Sequence, residues 1–152
     1  MWLAIFVVAG CKNGLDREKL DGEIVSTLKE KGVEATVDCP AVEQLIQGLK
    51  FQCAGVAFER AFQIDVQVLD DKATVKWDLV GKIVETKKLA DFVSPQIAKK
   101  IDATTHVSCA QKLAILAPRD VITCDITAGD QDGHVAITVA ANGDDVTWEI
   151  LK

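Results

Sequence analysis

The chain has 152 residues, a net charge of −6, 49% apolar residues and 26% charged residues. That balance describes a folded globular protein and excludes a disordered one. The acidic excess argues against nucleic-acid binding, which needs a basic face for the phosphate backbone.

The first element is an apolar run from Leu3 to Gly10 that ends in small residues. This is the shape of a signal peptide's apolar region and cleavage site. It is too short to span a bilayer, which takes about 20 apolar residues. The ending Val8-Ala9-Gly10-Cys11 resembles a bacterial lipobox. The resemblance implies that residues 1–10 are a signal segment cleaved before Cys11. It also implies lipid on the Cys11 thiol, with residues 11–14 as a tether to the membrane. Such an anchor acts through buried methylenes, at about 0.8 kcal/mol each. The other reading of the same residues is an apolar N-terminal strand with a buried free cysteine.

A helix follows. Leu20, Ile24 and Leu28 recur every four residues, Asp16 is placed to cap the start, and Gly32 is placed to stop the end. Strands come next. Val33, Ala35, Val37 and Cys39 alternate with polar residues, as do Leu49, Phe51 and Cys53, then Ile64, Val66 and Val68, then Ala73, Val75, Trp77 and Leu79. Period two places one face in a core and the other in water, as in an antiparallel sheet covered on one side. Asp70-Asp71-Lys72 marks a turn, and Val80-Gly81-Lys82 marks a junction.

Beyond the junction the pattern returns. Leu89, Phe92, Val93, Ile97 and Ile101 fall on one face of a second helix, and Pro95 predicts a kink or break within it. Five lysines gather early in this half (Lys82, Lys87, Lys88, Lys99, Lys100), as expected of a solvated helix face. Val107-Ser108-Cys109, Ile122-Thr123-Cys124, the alternating Val135 to Val139 and Val146-Thr147-Trp148 then repeat the order of the first half. Asn142-Gly143 is a hairpin signal, since both residues tolerate positive φ. Residues 37–79 and 107–150 thus look like one module written twice. In each copy the second cysteine lies 24 positions before a tryptophan, Cys53 before Trp77 and Cys124 before Trp148. The fold class expected is α+β, in two tandem repeats over residues 15–80 and 82–152. Each repeat would be a helix on an antiparallel sheet of about four strands, with one disulfide.

Four cysteines allow three pairings. The repeat selects Cys39–Cys53 and Cys109–Cys124, because only that choice gives both copies the same framework. Each bridge closes a loop of about 15 residues, worth ~3 kcal/mol in the chain-entropy picture. Units of this size bury a limited core and benefit from such a staple. Disulfides also place the chain in an oxidising compartment outside the cytoplasm. Clustered Cys/His spacing for a metal is missing from the pattern, so no metal or other cofactor is expected.

A family resemblance rests on these same residues. A helix, then Val37-Asp38-Cys39-Pro40, then Gly48-Leu49-Lys50-Phe51-Gln52-Cys53, then alternating strands resembles the bacterial family called domain of unknown function 4333. The likeness covers residues 15–79 well and 83–151 less well. In the second half Ala110 stands where the Pro is expected, and Ala117-Pro118-Arg119-Asp120 replaces the glycine-containing approach. The resemblance implies an exported or lipoprotein-like protein and a pair of bridged cysteines per copy. It implies no activity.

Candidate chemistry is sparse. The serines are Ser26, Ser94 and Ser108, and the histidines are His106 and His134, with no Gly-x-Ser-x-Gly elbow. His106 and Ser108 share a strand face, read as two exposed strand residues. Asp130-Gln131-Asp132-Gly133-His134 has part of a calcium loop's acids but lacks the first acid and the distant Glu, so it reads as an acidic turn. The parity of Trp77 and Trp148 places both in the core. Val42, Leu45 and Ile46, with Leu113, Ile115 and Leu116, are apolar within connections. They either pack over the sheet end or form a candidate partner surface. The reading is a non-enzymatic, lipid-anchored binding or scaffolding protein of the cell envelope with an envelope protein as partner. The alternative is an inhibitor-like protein that docks an envelope enzyme through these loops.

Overall fold

The computed structural model describes residues 4–7 and 14–152. The chain divides into two compact units between Val80 and Gly81. In the first unit β1 (Ala4–Val7) precedes α1 (Arg17–Glu30), followed by β2 (Ala35–Asp38), β3 (Lys50–Ala57), β4 (Arg60–Val68) and β5 (Thr74–Val80). The strands form an antiparallel sheet in the order β1-β5-β4-β3-β2. The second unit contains β6 (Lys82–Glu85), α2 (Thr86–Ile101), β7 (Thr105–Ser108), β8 (Leu113–Leu116), β9 (Val121–Ala128), β10 (Gln131–Val139) and β11 (Val146–Leu151). Its main sheet runs β11-β10-β9-β7, and β6 pairs with β8 in a separate two-stranded ribbon. The fold is α+β, and a helix, four meandering strands and one disulfide appear in the same order in both units.

α1 forms for the reasons its spacing gives. The Asp16 side chain accepts the Lys19 N–H at 3.1 Å, which satisfies one of the first-turn donors. Leu20, Ile24 and Leu28 form its buried stripe. Gly32, with φ +79°, takes the left-handed turn that ends it. Asp21 ties the helix to the sheet side by accepting the Cys39 N–H at 3.1 Å. Ile64, Val66, Val68, Val75 and Trp77 make the buried face of the sheet, and strict alternation leaves their neighbours in solvent.

α2 departs from expectation twice. It runs as one helix from Thr86 to Ile101, without a break at Pro95. Pro95 lies on the exposed side, so water can serve the Asp91 carbonyl that loses its helical donor. The buried stripe is Ala90, Val93 and Ile97, which packs with Val107, Leu116, Ile122, Ile126, Val135 and Ile137. Phe92 and Ile101 were expected on that face, yet Phe92 is 57% exposed and Ile101 is also exposed. The apolar arc of the helix is wider than the strip the sheet covers. Thr86 is the buried polar residue at its start, and its hydroxyl donates to the Gln111 carbonyl.

Three hairpins are closed in two different ways. β3 and β4 join through Phe58-Glu59, both left-handed at φ 52° and 61°, although neither is a turn residue. Asp70 closes the β4–β5 hairpin by accepting the N–H groups of Lys72 and Thr74. Asn142 does the same in the second unit for Asp144 and Asp145.

Candidate functional site

Each disulfide joins residues that face each other directly. Asp38 pairs with Ala54 and Ser108 with Asp125, so the next rungs bring Cys39 to Cys53 and Cys109 to Cys124. The Cα separations are 4.2 and 4.3 Å, those of closely opposed antiparallel residues. Cys39 and Cys53 are buried, whereas Cys109 is half-buried. The four cysteines are structural, and Cys11 lies outside the described residues.

The strand alternative for the N-terminal run has a counterpart here. Ala4–Val7 pairs with β5, with Ala4 opposite Trp77 and Phe6 opposite Val75. The rest of the expected signal segment lies outside the described residues.

The candidate partner-surface residues differ between the two units. Leu113, Ile115 and Leu116 are not loop residues: they belong to β8, and Ile115 and Leu116 are buried. Leu113 is half-buried opposite Glu85 on β6. In the first unit Val42 and Leu45 are half-buried, and Ile46 alone stands out, 57% exposed. This loop is held at its root, where Leu15 N–H donates to the Val42 carbonyl and Gly48 N–H donates to the Val68 carbonyl. The matching bond in the second unit runs from Arg119 N–H to the Val139 carbonyl. Arg119 adopts φ 72° where Gly48 adopts φ 86°, so the backbone geometry is kept although the glycine is not.

The tryptophans differ. Trp77 is 1% exposed and its Nε1 has no hydrogen-bond partner among the described residues. Trp148 is only half-buried at the core's edge, which corrects the expectation that both lie within it. Its Nε1 donates to the Gln96 side chain at 3.3 Å, and the Lys100 ammonium sits 5.0 Å from the ring centroid.

The histidines lie on strands of the second sheet. His106 and Ser108 are exposed on β7, and His134 sits on β10 with its Nδ1 3.0 Å from the Asp125 carboxylate. Gly129-Asp130 forms the β9–β10 turn, with Asp132 accepting from the Thr127 hydroxyl. Among the described residues no group of three His, Cys, Asp or Glu side chains is placed to hold a metal.

Sequence reasoning missed a cleft of about 540 Å³ on the outer face of the first sheet. It lies over the Phe51, Val66 and Trp77 rung, between two rows of polar side chains. One row is Lys50, Gln67 and Lys76; the other is Gln52, Asp65 and Asp78. Strand rise separates the basic row from the acidic one by about 7 Å. Asp65 faces Asp78 across the strands and accepts the Gln52 amide at 2.7 Å. The arrangement offers ion pairs of both signs and hydrogen bonds, and holds no nucleophile beside a base. Alternation alone marks these residues as solvent-facing. Only the register shows that like charges line up.

The shifted carboxylates lie elsewhere. Burial raises the Asp21 pKa, with the Cys39 N–H and Arg17 pulling it back. The Thr74 hydroxyl and N–H, then the Lys72 N–H and charge, lower that of Asp70. The Lys82 ammonium lowers that of Asp144, to which it donates at 2.5 Å.

No family model, curated protein or solved structure matches this chain.

Proposed function

We propose that the chain is a lipid-anchored protein of the bacterial cell envelope that works by binding rather than by catalysis. One observation carries the location. The four repeated cysteines are consumed in two disulfides, leaving Cys11, directly after Val8-Ala9-Gly10, as the single cysteine outside them. Disulfides persist in oxidising compartments, which supports a place outside the cytoplasm. No helix among the described residues is long and apolar enough to cross a membrane, so a thiol-linked lipid would supply the hold. On this reading β1 belongs to the uncleaved chain, and cleavage before Cys11 removes it from the edge of β5.

The binding role rests on the outer-face cleft. Its two lysines, which flank Gln67, and its facing aspartates suit a polar partner that carries both charges. The inhibitor-like alternative keeps only the first-unit loop around Ile46, since Leu113, Ile115 and Leu116 belong to a strand and two of them are buried. Metabolic labelling with a fatty acid analogue tests the anchor. Wild type should incorporate label and the Cys11→Ser variant should not, while intact mass should show a chain that begins at Cys11. Equal labelling of the two would remove the anchor and with it the envelope assignment.

A further inference from the structure

β11 ends the second sheet, and among the described residues no strand lies along its outer edge. In the uncleaved chain its counterpart β5 has a neighbour there, because Ala4–Val7 adds beside it. The two edges present the same backbone groups. In the first unit Leu69 N–H donates to the Thr74 carbonyl at 2.8 Å, and in the second Ala140 N–H donates to the Asp145 carbonyl at 2.8 Å. Antiparallel rungs alternate between bonded and non-bonded pairs. Counting from those bonds, Val75 and Trp77 turn their N–H and C=O groups away from β4, and these are the residues opposite Phe6 and Ala4. The same count turns Val146, Trp148 and Ile150 away from β10. An edge of this kind is a template for an added strand.

We infer that the occupant is a second copy of this chain, paired antiparallel through its own β11. Charge selects the register. With Trp148 opposite its symmetry mate, Val146 faces Ile150 and Thr147 faces Glu149, each twice about the two-fold axis, and no like charges meet within the strand. Half-buried residues then meet half-buried residues, and exposed meet exposed. The outward backbone groups of Val146, Trp148 and Ile150 fall opposite one another, which allows about six new hydrogen bonds. A shift by two residues one way puts Glu149 against Glu149, and the other way puts Asp145 against Glu149. Like charges directly opposite destabilise a pair. The product is one continuous sheet through both second units, with the Lys100-covered Trp148 rings at its centre.

Two measurements on the purified full chain test this. Sedimentation equilibrium in the micromolar range should give twice the chain mass, and Val146→Pro should return the monomer. Proline is tolerated at the first residue of a strand but removes an outward N–H. Cross-linking reads the register without risk to the fold, because Thr147 and Glu149 are exposed. In a Cys11→Ser background, a mixture of Thr147→Cys and Glu149→Cys chains should form disulfide-linked pairs under mild oxidation, and neither variant alone should. A monomer at all concentrations would overturn the proposal, as would cross-linking of Glu149→Cys by itself.

Discussion

Gly55 shows how closely the first core is fitted, and substituting it gives a sharp test. It lies on β3 opposite Phe62 of β4, whose ring rests on the bare backbone. A Cβ at position 55 would sit 2.2 Å from the ring's Cζ and 2.6 Å from both Cε atoms. Carbon contacts are comfortable from about 3.5 Å, so the ring must retreat by more than about 1 Å. It has two ways to do so. Pressing deeper over-packs the core, at a cost of about 1–3 kcal/mol. Phe62 is only 7% exposed, so swinging outward forfeits burial worth about 1.5–3 kcal/mol. Against either stands the gain from replacing a strand glycine with alanine, about 0.5–1 kcal/mol. Gly55→Ala should therefore destabilise the first unit by about 0.5–2 kcal/mol. Urea titration of Trp77 fluorescence should show a midpoint lowered by roughly 0.5–1 M, given the usual slopes. Phe62→Leu shortens the obstructing group, so it should cost less in the Gly55→Ala background than in wild type. If Gly55→Ala is as stable as wild type, or if Phe62→Leu costs the same in both backgrounds, the wedge argument fails.

Three further outcomes follow from local geometry. Replacing Phe58-Glu59 by Asn-Gly should raise the stability of the first unit by about 1 kcal/mol, because both positions hold left-handed backbone that side chains resist; an unchanged or lower thermal midpoint would refute this. In a graded reductant series with alkylation and mass mapping, Cys109–Cys124 should open before Cys39–Cys53, since Cys109 is half-buried and the other pair is enclosed; the opposite order would contradict it. Asp70 has its folded pKa below the unfolded value, chiefly through Thr74. Its stabilising effect is present above the unfolded pKa and is lost as pH falls through the folded one. Asp70→Ala should thus flatten the stability profile below about pH 4, where free aspartate titrates, and a profile identical to wild type would show that the turn does not couple to folding.

Much of the fold could be read along the chain where one period dominated. Leu20, Ile24 and Leu28 identify α1 because a four-residue spacing admits one helical face. Ile64, Val66 and Val68 identify β4 because alternation with Gln63, Asp65 and Gln67 leaves one burial parity. The cysteine pairing followed from the doubled pattern, and the register now explains it: the paired residues sit on directly opposed rungs. β8 escaped because Leu113-Ala114-Ile115-Leu116 is apolar without alternation. A strand covered on both faces carries no period by which to recognise it. The Phe58-Glu59 turn escaped because its conformation is imposed by the strands it joins. Arg119 is the same case, held at positive φ by the Val139 carbonyl.

The sequence by itself determined the quantities that depend on near neighbours: the helices, most strands, the inward parity of the cysteines and the isolation of Cys11 from the repeat. Tertiary structure alone decided what depends on which surfaces meet. It placed Phe92 in solvent because the sheet covers only part of the apolar arc of α2, and Trp148 at the core's edge because β11 is the end strand of its sheet. It lined Lys50 with Lys76 and Asp65 with Asp78, because register sets cross-strand neighbours and no single strand contains it. It also left β11 as an edge where β5 has a neighbour, since strand order is a property of the assembled sheet.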